Sequence, residues 1–157
     1  ALHFAALAMD RLYMPEVHRP SRVLNMRDLG DDLCRTDLQP PVRALMVYGA
    51  NPMVSIPNQA RIREGLRRDD LFTVVHDLFV TETARYADYV LPATSQIEHL
   101  DLSPAWGHLY LSLNRPAIAP RGEAISNTEL FRRLAHALGR TEPWLFESDE
   151  SMLRAAL

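Results

Sequence analysis

Three short apolar runs constrain the fold of this chain more than any other feature of its sequence. They are residues 42–48 (VRALMVY), 71–76 (LFTVVH) and 88–91 (DYVL), and they stop at Gly49, Asp77 and Pro92. Continuous runs rich in β-formers are typical of strands buried in a parallel sheet. Helical patterns separate them, at residues 57–68 and 82–86. The alternation predicts right-handed βαβ units, and therefore an α/β fold. We expect an open, mainly parallel sheet with helices on both faces, a three-layer domain of the Rossmann-like or flavodoxin-like kind.

The domain organisation follows from length and from the regions around these runs. The chain has 157 residues, which is enough for one ordinary domain. We expect residues 1–40 to form an entry helix, at residues 2–13, and a wrapping connection with a short strand at residues 22–25. Residues 41–140 are expected to form the α/β domain, and residues 141–157 a C-terminal helical tail.

The second half of the chain carries one strong helix signal. Ser126 and Glu129 have the spacing of a capping box, and Leu130, Leu134 and Leu138 follow on one helical face before Gly139. Alternation of leucines in residues 108–113 predicts a half-buried strand or an extended arm. A last helix is expected to begin after Ser148.

Composition excludes several classes of function. The formal net charge is −3, so no basic field would attract nucleic acid or an anionic membrane. Cys34 is the only cysteine, and one thiol builds neither an internal disulfide nor the cage of an iron–sulfur cluster. No apolar stretch approaches the length of a membrane helix. We therefore expect a cytoplasmic setting, and the start at Ala1 suggests trimming or a fragment.

The candidate ligand site lies at the ends of the predicted strands. Ligands of open parallel sheets bind beyond the carboxyl ends of the strands. After the first strand come Gly49, which allows a close turn, Asn51, which offers a donor and an acceptor, and Pro52, which stiffens the loop. After the second strand come Asp77 and Thr81. We expect these loops to line one crevice.

Asp77 has two interpretations. A carboxylate at a strand end can accept hydrogen bonds from both hydroxyls of a ribose, or from N1–H and the exocyclic amine of guanine. Alternatively, Asp77 is a turn or capping residue, with Thr81 capping the next helix. The strand order alone leaves both interpretations open.

Other chemically interesting residues favour structural roles. Glu98, His99, Asp101 and His108 lack the spacing of a helical zinc site, so no metal site is predicted. His76 is expected to be a hydrogen-bonded core residue, and Cys34 an unreactive thiol. No Walker-type or G-x-G-x-x-G loop occurs, which argues against common NTP and NAD sites. No catalytic residue is assigned.

These motifs together resemble a known enzyme family. In order they are V-Y-G-A-N-P (residues 47–52), D-L-F-V-T-E-T-A-R-Y-A-D-Y-V-L-P-A (77–93), Glu98, P-R-G-E-A (120–124) and the capped helix to Gly139. This arrangement is similar to the large subunits of the bis-molybdopterin-guanine-dinucleotide family, such as formate dehydrogenases, periplasmic nitrate reductases and dimethyl sulfoxide reductases. The resemblance covers roughly residues 22–139.

The resemblance implies a cofactor and a set of contact residues. The cofactor would be molybdopterin guanine dinucleotide, bearing Mo or W in the complete enzyme, and residues 41–140 would hold its nucleotide end. Residues at the places of Asp77 and Thr81 contact the guanosine end in such enzymes, and the loop of Gly49, Asn51 and Pro52 lines the same crevice. Glu98, His99 and the residue at Asn127 complete the pocket. The family commonly has Asp at that last place, and Asn keeps an acceptor without the charge.

Departures from the family pattern bear on activity. This chain has no four-cysteine iron–sulfur motif, no assigned metal ligand and no C-terminal β-barrel. Redox chemistry would therefore belong to a parent oxidoreductase, with its other domains or subunits as partners, and the isolated chain is expected to be incomplete and inactive. Two alternatives stay open, a catalytically silent interaction module and a free-standing mononucleotide-binding protein. Self-association is expected through apolar surface near Tyr110, Trp106 and the N-terminal helix.

Overall fold

The computed structural model describes residues 22–157, apart from Trp106 and Leu109. These residues form two compact units, divided between Ala93 and Thr94. We call the part up to Ala93 the sheet unit and the part from Thr94 the C-terminal unit. The helix predicted for residues 2–13 lies outside the described residues, and the boundaries expected at residues 40 and 140 stay a prediction.

The sheet unit contains the three predicted strands. They are β1 (Ala44–Tyr48), β2 (Phe72–Asp77) and β3 (Tyr89–Pro92). All pairings are parallel in the order β1-β2-β3, with Val47 opposite Val75 and Val75 opposite Val90. The predicted α/β class with an open parallel sheet is therefore confirmed. Because the strands are parallel, their carboxyl ends meet at one edge of the sheet.

Helical segments precede β1 and fill the connections between the strands. They are α1 (Leu29–Cys34), α2 (Pro52–Ser55) and α3 (Gln59–Leu66), with 3-10 turns at Met26–Asp28 and Ala84–Tyr86. The helix predicted between β1 and β2 is thus present but shorter than expected. The extra helix α2 begins directly at Pro52, whose fixed φ suits the first helical position.

The segment before β1 differs from its predicted form. The strand expected at residues 22–25 is wrong, because no strand occurs there and Asn25 instead caps the 3-10 turn, with its side chain accepting from Arg27 N at 3.1 Å. Helix α1 follows, inside the predicted wrapping connection. Its Leu33 belongs to the hydrophobic core, together with residues of α2 and α3, Ile56 after α2 and Leu71 just before β2.

The core of the sheet unit consists of two clusters of buried side chains. Buried Met53, Ile56, Ile62, Leu66 and Leu71 surround Leu33 in one cluster. A second cluster joins Val47 and Val75, neighbours across the sheet, to Ala84 of the 3-10 turn after β2. Burial of these side chains fixes the helices on the sheet and thereby the loops at its carboxyl edge.

Two arginines of α3 and the turn after it connect neighbouring segments of the sheet unit. Arg61 forms ion pairs with Asp31 and Glu64. Arg68 does more, because it donates to Leu33 O at 2.6 Å and Val42 O at 3.3 Å and pairs with Asp70. Arg68 therefore ties the end of α1 to the chain entering β1.

The C-terminal unit combines a small antiparallel sheet with helices. Its elements are β4 (Asp101–Pro104), β5 (Leu111–Asn114), α4 (Asn127–Ala137), a 3-10 turn (Pro143–Phe146) and α5 (Asp149–Ala156). Strand β5 corresponds to the strand predicted in residues 108–113, and its pairing with β4 was not anticipated. The last helix begins after Ser148, as predicted, and the Ser148 hydroxyl accepts from Ser151 N.

Helix α4 has only part of the predicted capping box. Ser126 Oγ accepts from Glu129 N at 3.2 Å, which is the first half of the motif. The Glu129 carboxylate instead accepts from Arg133 at 2.8 Å on its own helix. Of the predicted core face only Leu130 is buried, and Gly139, with φ 67°, follows the end of the helix.

Two surface expectations concern association. In the part of the chain that the structure describes, no helix combines the length and the apolar character needed to cross a membrane. Tyr110 is exposed, whereas Trp106 and the N-terminal helix lie outside the described residues. The predicted self-association stays a prediction.

Candidate functional site

Two loops form the carboxyl edge of the sheet unit. We call residues 49–52, after β1, and residues 77–83, after β2, the carboxyl-edge loops. Gly49 has φ 58°, a conformation that glycine adopts without strain, and its N–H donates to His76 O at 3.2 Å. This bond extends the β1–β2 pairing by one residue. It brings the two loops together at the edge where α/β proteins bind ligands.

Asn51 connects the two loops. Its Oδ1 accepts from Thr83 Oγ1 at 2.7 Å and from Thr83 N at 3.3 Å, and its Nδ2 donates to Glu82 at 2.8 Å. The Thr83 hydroxyl in turn accepts from Met53 N at 3.1 Å. We call these contacts the Asn51–Thr83 network. They occupy both lone pairs of the Asn51 carbonyl, so this side chain holds the loops in register.

Pro52 has a structural place beside this network. It is buried and is the first residue of α2, so its ring starts a helix where the sequence suggested a stiffened loop. The backbone carbonyl oxygen of Asn51 accepts from Val54 N and Ser55 N, both at 3.0 Å. Residues 49–52 are therefore bonded to β2 at Gly49 and to α2 at Asn51.

Asp77 and Thr81 occupy the second loop. Asp77 is partly exposed at the end of β2, and its Oδ1 accepts from Phe79 N at 3.3 Å. Among the described residues its Oδ2 has no hydrogen-bond partner. Thr81 Oγ1 accepts from Ala84 N at 3.2 Å, as expected of a residue capping the next turn. Its hydroxyl proton can still be donated, so both residues combine a turn contact with capacity for a ligand.

The electrostatic character of this edge is acidic. Residues 49–52 and 77–83 contain the carboxylates Asp77 and Glu82 and no lysine or arginine. The hydrogen bond from Asn51 holds the pKa of Glu82 below its ordinary value, so this carboxylate is charged at neutral pH. These carboxylates suit a ligand that presents neutral N–H or O–H donors.

Sequence reasoning missed Glu82 and Thr83. Both belong to the T-E-T segment that follows the predicted strand end, and the polar triplet was the available signal. Their importance depends on contacts with Asn51, about 30 positions earlier, which sequence spacing does not reveal.

The Asn51–Thr83 network leads to a stability prediction. Replacing Thr83 with valine preserves shape but removes the acceptor for Met53 N, which is buried. We expect the free energy of unfolding to fall by about 1–3 kcal/mol, the usual cost of an unsatisfied buried donor. Urea denaturation measures it, and Thr83→Ser, which keeps the hydroxyl, is the control. Equal losses in the two variants would mean that the hydroxyl contributes nothing.

Glu98 and His99 lie in the C-terminal unit. Glu98 Oε2 accepts from Ser95 N at 2.7 Å and Ser95 Oγ at 2.6 Å, while Oε1 accepts from Arg121 N at 2.9 Å. The bond from the Ser95 hydroxyl is the main cause that lowers the pKa of Glu98. His99 Nδ1 lies 2.9 Å from Thr94 Oγ1. Glu98 therefore links the segment at Ser95 to the segment at Arg121 within the C-terminal unit.

These two residues line a cavity of about 610 Å³ within the C-terminal unit. Ser126 and Glu129 of the α4 region also line it, together with Arg133 and Asp149. Asn127 is exposed at the first turn of α4 and is not among the described residues that line the cavity. The structure thus brings Glu98 and His99 together, and it gathers Gly49, Asn51, Pro52, Asp77 and Thr81 in the sheet unit.

The structure gives no reactive or metal-binding role to the other residues that the sequence singled out, in the part of the chain that it describes. His76 is fully buried, with Nδ1 3.2 Å from Leu91 O, but its Nε2 has no hydrogen-bond partner among the residues that the structure describes, so the expected core histidine is only half satisfied there. Burial raises the pKa of the Cys34 thiol, which disfavours the reactive thiolate. The described residues contain no group of three or more His, Cys, Asp or Glu side chains that could hold a metal ion.

The three-stranded parallel sheet and its helices define an α/β domain, a class of fold in which ligands bind beyond the carboxyl ends of the strands. A family model described as "Molybdopterin oxidoreductase" matches residues 30–137 of this chain. The chain belongs to the molybdopterin oxidoreductase family. This confirms the resemblance drawn from the sequence motifs.

Individual relatives agree with this membership. The chain is 52% identical over 139 residues to "Probable oxidoreductase YoaE" of Bacillus subtilis, covering 88% of this chain and 20% of that protein. It is 34% identical over 113 residues to the "F420-dependent formate dehydrogenase 1 subunit alpha" of Methanococcus maripaludis, covering 72% and 16%. The solved structure "Acetylene Hydratase from Pelobacter acetylenicus" matches with a TM-score of 0.63 and 29% identity, over 74% of this chain and 16% of that one.

The chain spans about a fifth of the length of the curated relatives it matches. Membership in this family implies a molybdopterin cofactor with molybdenum or tungsten for the enzymes that contain such a domain. Because these relatives are several times longer than this chain, they imply further domains or subunits beside such a domain.

Proposed function

We propose that this chain is the part of a molybdopterin oxidoreductase that holds the guanosine end of one molybdopterin guanine dinucleotide cofactor. The metal-bearing end of that cofactor supplies the redox chemistry, at Mo or W, in parts of the parent enzyme outside residues 1–157. The chain's own contribution is to bind and orient the nucleotide. Asp77 and Thr81 make the contacts, and Gly49, Asn51 and Pro52 shape the loop beside them.

The Asp77 carboxylate is the observation that carries this proposal. It stands at the carboxyl end of the central strand, with Oδ2 unpartnered among the described residues and Oδ1 engaged by one weak contact of 3.3 Å to Phe79 N. The N1–H and 2-amino groups of guanine form a pair of adjacent donors that matches one carboxylate. A charged acceptor strengthens both bonds.

The other side chains at this edge fit the same end of the cofactor. Thr81 can donate its hydroxyl proton to a ribose oxygen while it accepts from Ala84 N. The absence of lysine and arginine from residues 49–52 and 77–83 suits a nucleoside better than the pyrophosphate. We place the phosphates and the pterin outside these loops. Glu98, His99 and Asn127 remain candidates for further contacts from the C-terminal unit.

The test is calorimetric titration of the full chain with GMP and AMP, in the wild type and in Asp77→Ala. We expect selective binding of GMP, and a Kd for GMP that rises about 10- to 100-fold in the variant, because a hydrogen bond to a charged group is lost. Asp69→Ala removes the same charge from an exposed turn at the other end of β2 and should leave Kd unchanged.

Two outcomes would contradict the proposal. No binding of GMP by the wild type would favour a silent interaction module. Equal weakening of GMP and AMP in Asp77→Ala would mean that the carboxylate recognises the ribose, as a general mononucleotide site would require.

A further inference from the structure

The loop that follows Asp77 exposes three consecutive apolar side chains. Leu78, Phe79 and Val80 are 51%, 75% and 70% exposed. They stand at the carboxyl edge, between the proposed contacts Asp77 and Thr81. Three adjacent apolar side chains in one solvent-facing loop are a common mark of a surface that is covered when a ligand or partner binds.

Phe79 is distinguished from its neighbours by its backbone. Its N–H donates to Asp77 Oδ1 at 3.3 Å, so the loop turns tightly and holds Phe79 beside the carboxylate. The next residues are fixed in a second turn, because Thr81 N donates to Phe79 O at 2.9 Å. An aromatic residue is thus anchored on both sides, within the same short turn as the proposed guanine-binding group.

The chemistry of a purine requires two kinds of contact. Its edge carries the polar atoms, which a carboxylate can satisfy, and its face is a flat π surface that loses water favourably against an aromatic ring. The carboxyl-edge loops contain one aromatic side chain, Phe79. We infer that Phe79 packs its ring against the face of the guanine base whose edge Asp77 binds. This inference rests on the proposed function and adds the residue that binds the base face.

The experiment compares Kd for GMP in Phe79→Ala, Phe79→Leu and Val80→Ala by calorimetry on the full chain. Removal of a stacking partner should raise Kd roughly 5- to 100-fold in Phe79→Ala. Phe79→Leu keeps an apolar side chain without a ring, and we expect it to recover little of the loss. Val80→Ala truncates an equally exposed neighbour and should bind as the wild type does.

A spectroscopic variant gives a second readout. Phe79→Trp should retain binding, and its added fluorescence should be quenched on saturation with GMP, because stacking puts the indole in contact with guanine. The signal is compared with that of the wild type, which contains Trp106 and Trp144. Asp77→Ala in the Phe79→Trp background should abolish the quenching at the same GMP concentration.

The outcomes separate this inference from the proposed function. If Asp77→Ala weakens GMP binding and Phe79→Ala does not, the base is bound without Phe79 and the inference is overturned alone. Full recovery in Phe79→Leu would also overturn it, because apolar contact would suffice. If neither Asp77→Ala nor Phe79→Ala changes GMP binding, the proposed function fails together with it.

Discussion

Replacing Leu33 with alanine should lower the free energy of unfolding by about 2–5 kcal/mol, the usual cost of a large-to-small change in a closed core. Leu33 is 1% exposed and packs among buried residues of α2, α3 and the segment just before β2. The cavity left behind would border three elements whose positions are fixed by the sheet. Little collapse is therefore expected, which favours the upper part of the range.

The matched control is Leu138→Ala, since Leu138 is 68% exposed at the end of α4. Its effect should stay within about 0.5 kcal/mol, as for other surface substitutions. Urea denaturation followed by circular dichroism measures both variants. If Leu33→Ala and Leu138→Ala lower the free energy of unfolding by similar small amounts, the packing of α1 into the core is contradicted. The result would then favour the wrapping connection predicted from the sequence.

Replacing Gly65 with alanine should lower the free energy of unfolding by about 1–3 kcal/mol through overpacking. A Cβ on Gly65 would lie 2.5 Å from Leu33 Cβ, and both atoms are fixed by their helix backbones. Only a shift of α1 against α3 could relieve the clash. Alanine is intrinsically favoured in a helix by up to about 1 kcal/mol, but that gain is smaller than the expected cost.

Two further glycines test this account of the helix contact. Gly30 faces the same interface, where an added Cβ would lie 2.8 Å from Ile62 N, so Gly30→Ala should also destabilise the chain. In the described part of the chain no heavy atom lies within 4 Å of an ideal Cβ on Gly107, and Gly107→Ala should be neutral. A Gly65→Ala variant as stable as the wild type would show that the two helices can separate at little cost.

The parallel sheet could be predicted because its signal is local. Each strand is a continuous run of β-formers that ends at a turn residue, and the order along the chain implies the crossovers. Helix α1 could not be predicted in the same way. It is only six residues long, with two apolar aliphatic residues, Leu29 and Leu33, and its stability comes from contact with α3.

The sequence could predict where the candidate site lies, but not the hydrogen bonds that its side chains form. Asp77 and Thr81 could be chosen because strand ends in parallel sheets meet at one edge. The role of Asn51 could not, because its partners Glu82 and Thr83 are distant in sequence. Glu98 looked available for a ligand, yet three hydrogen bonds from its own unit engage both of its oxygens.

The most direct test of the central claim is to map where GMP binds on the full chain by amide chemical shifts in nuclear magnetic resonance. The account predicts that the largest shifts on titration occur in the carboxyl-edge loops, residues 49–52 and 77–83, and disappear in Asp77→Ala. Unperturbed amides in both loops at saturating GMP, with shifts at the opposite end of the sheet near Arg43 and Arg68 or nowhere, would contradict it.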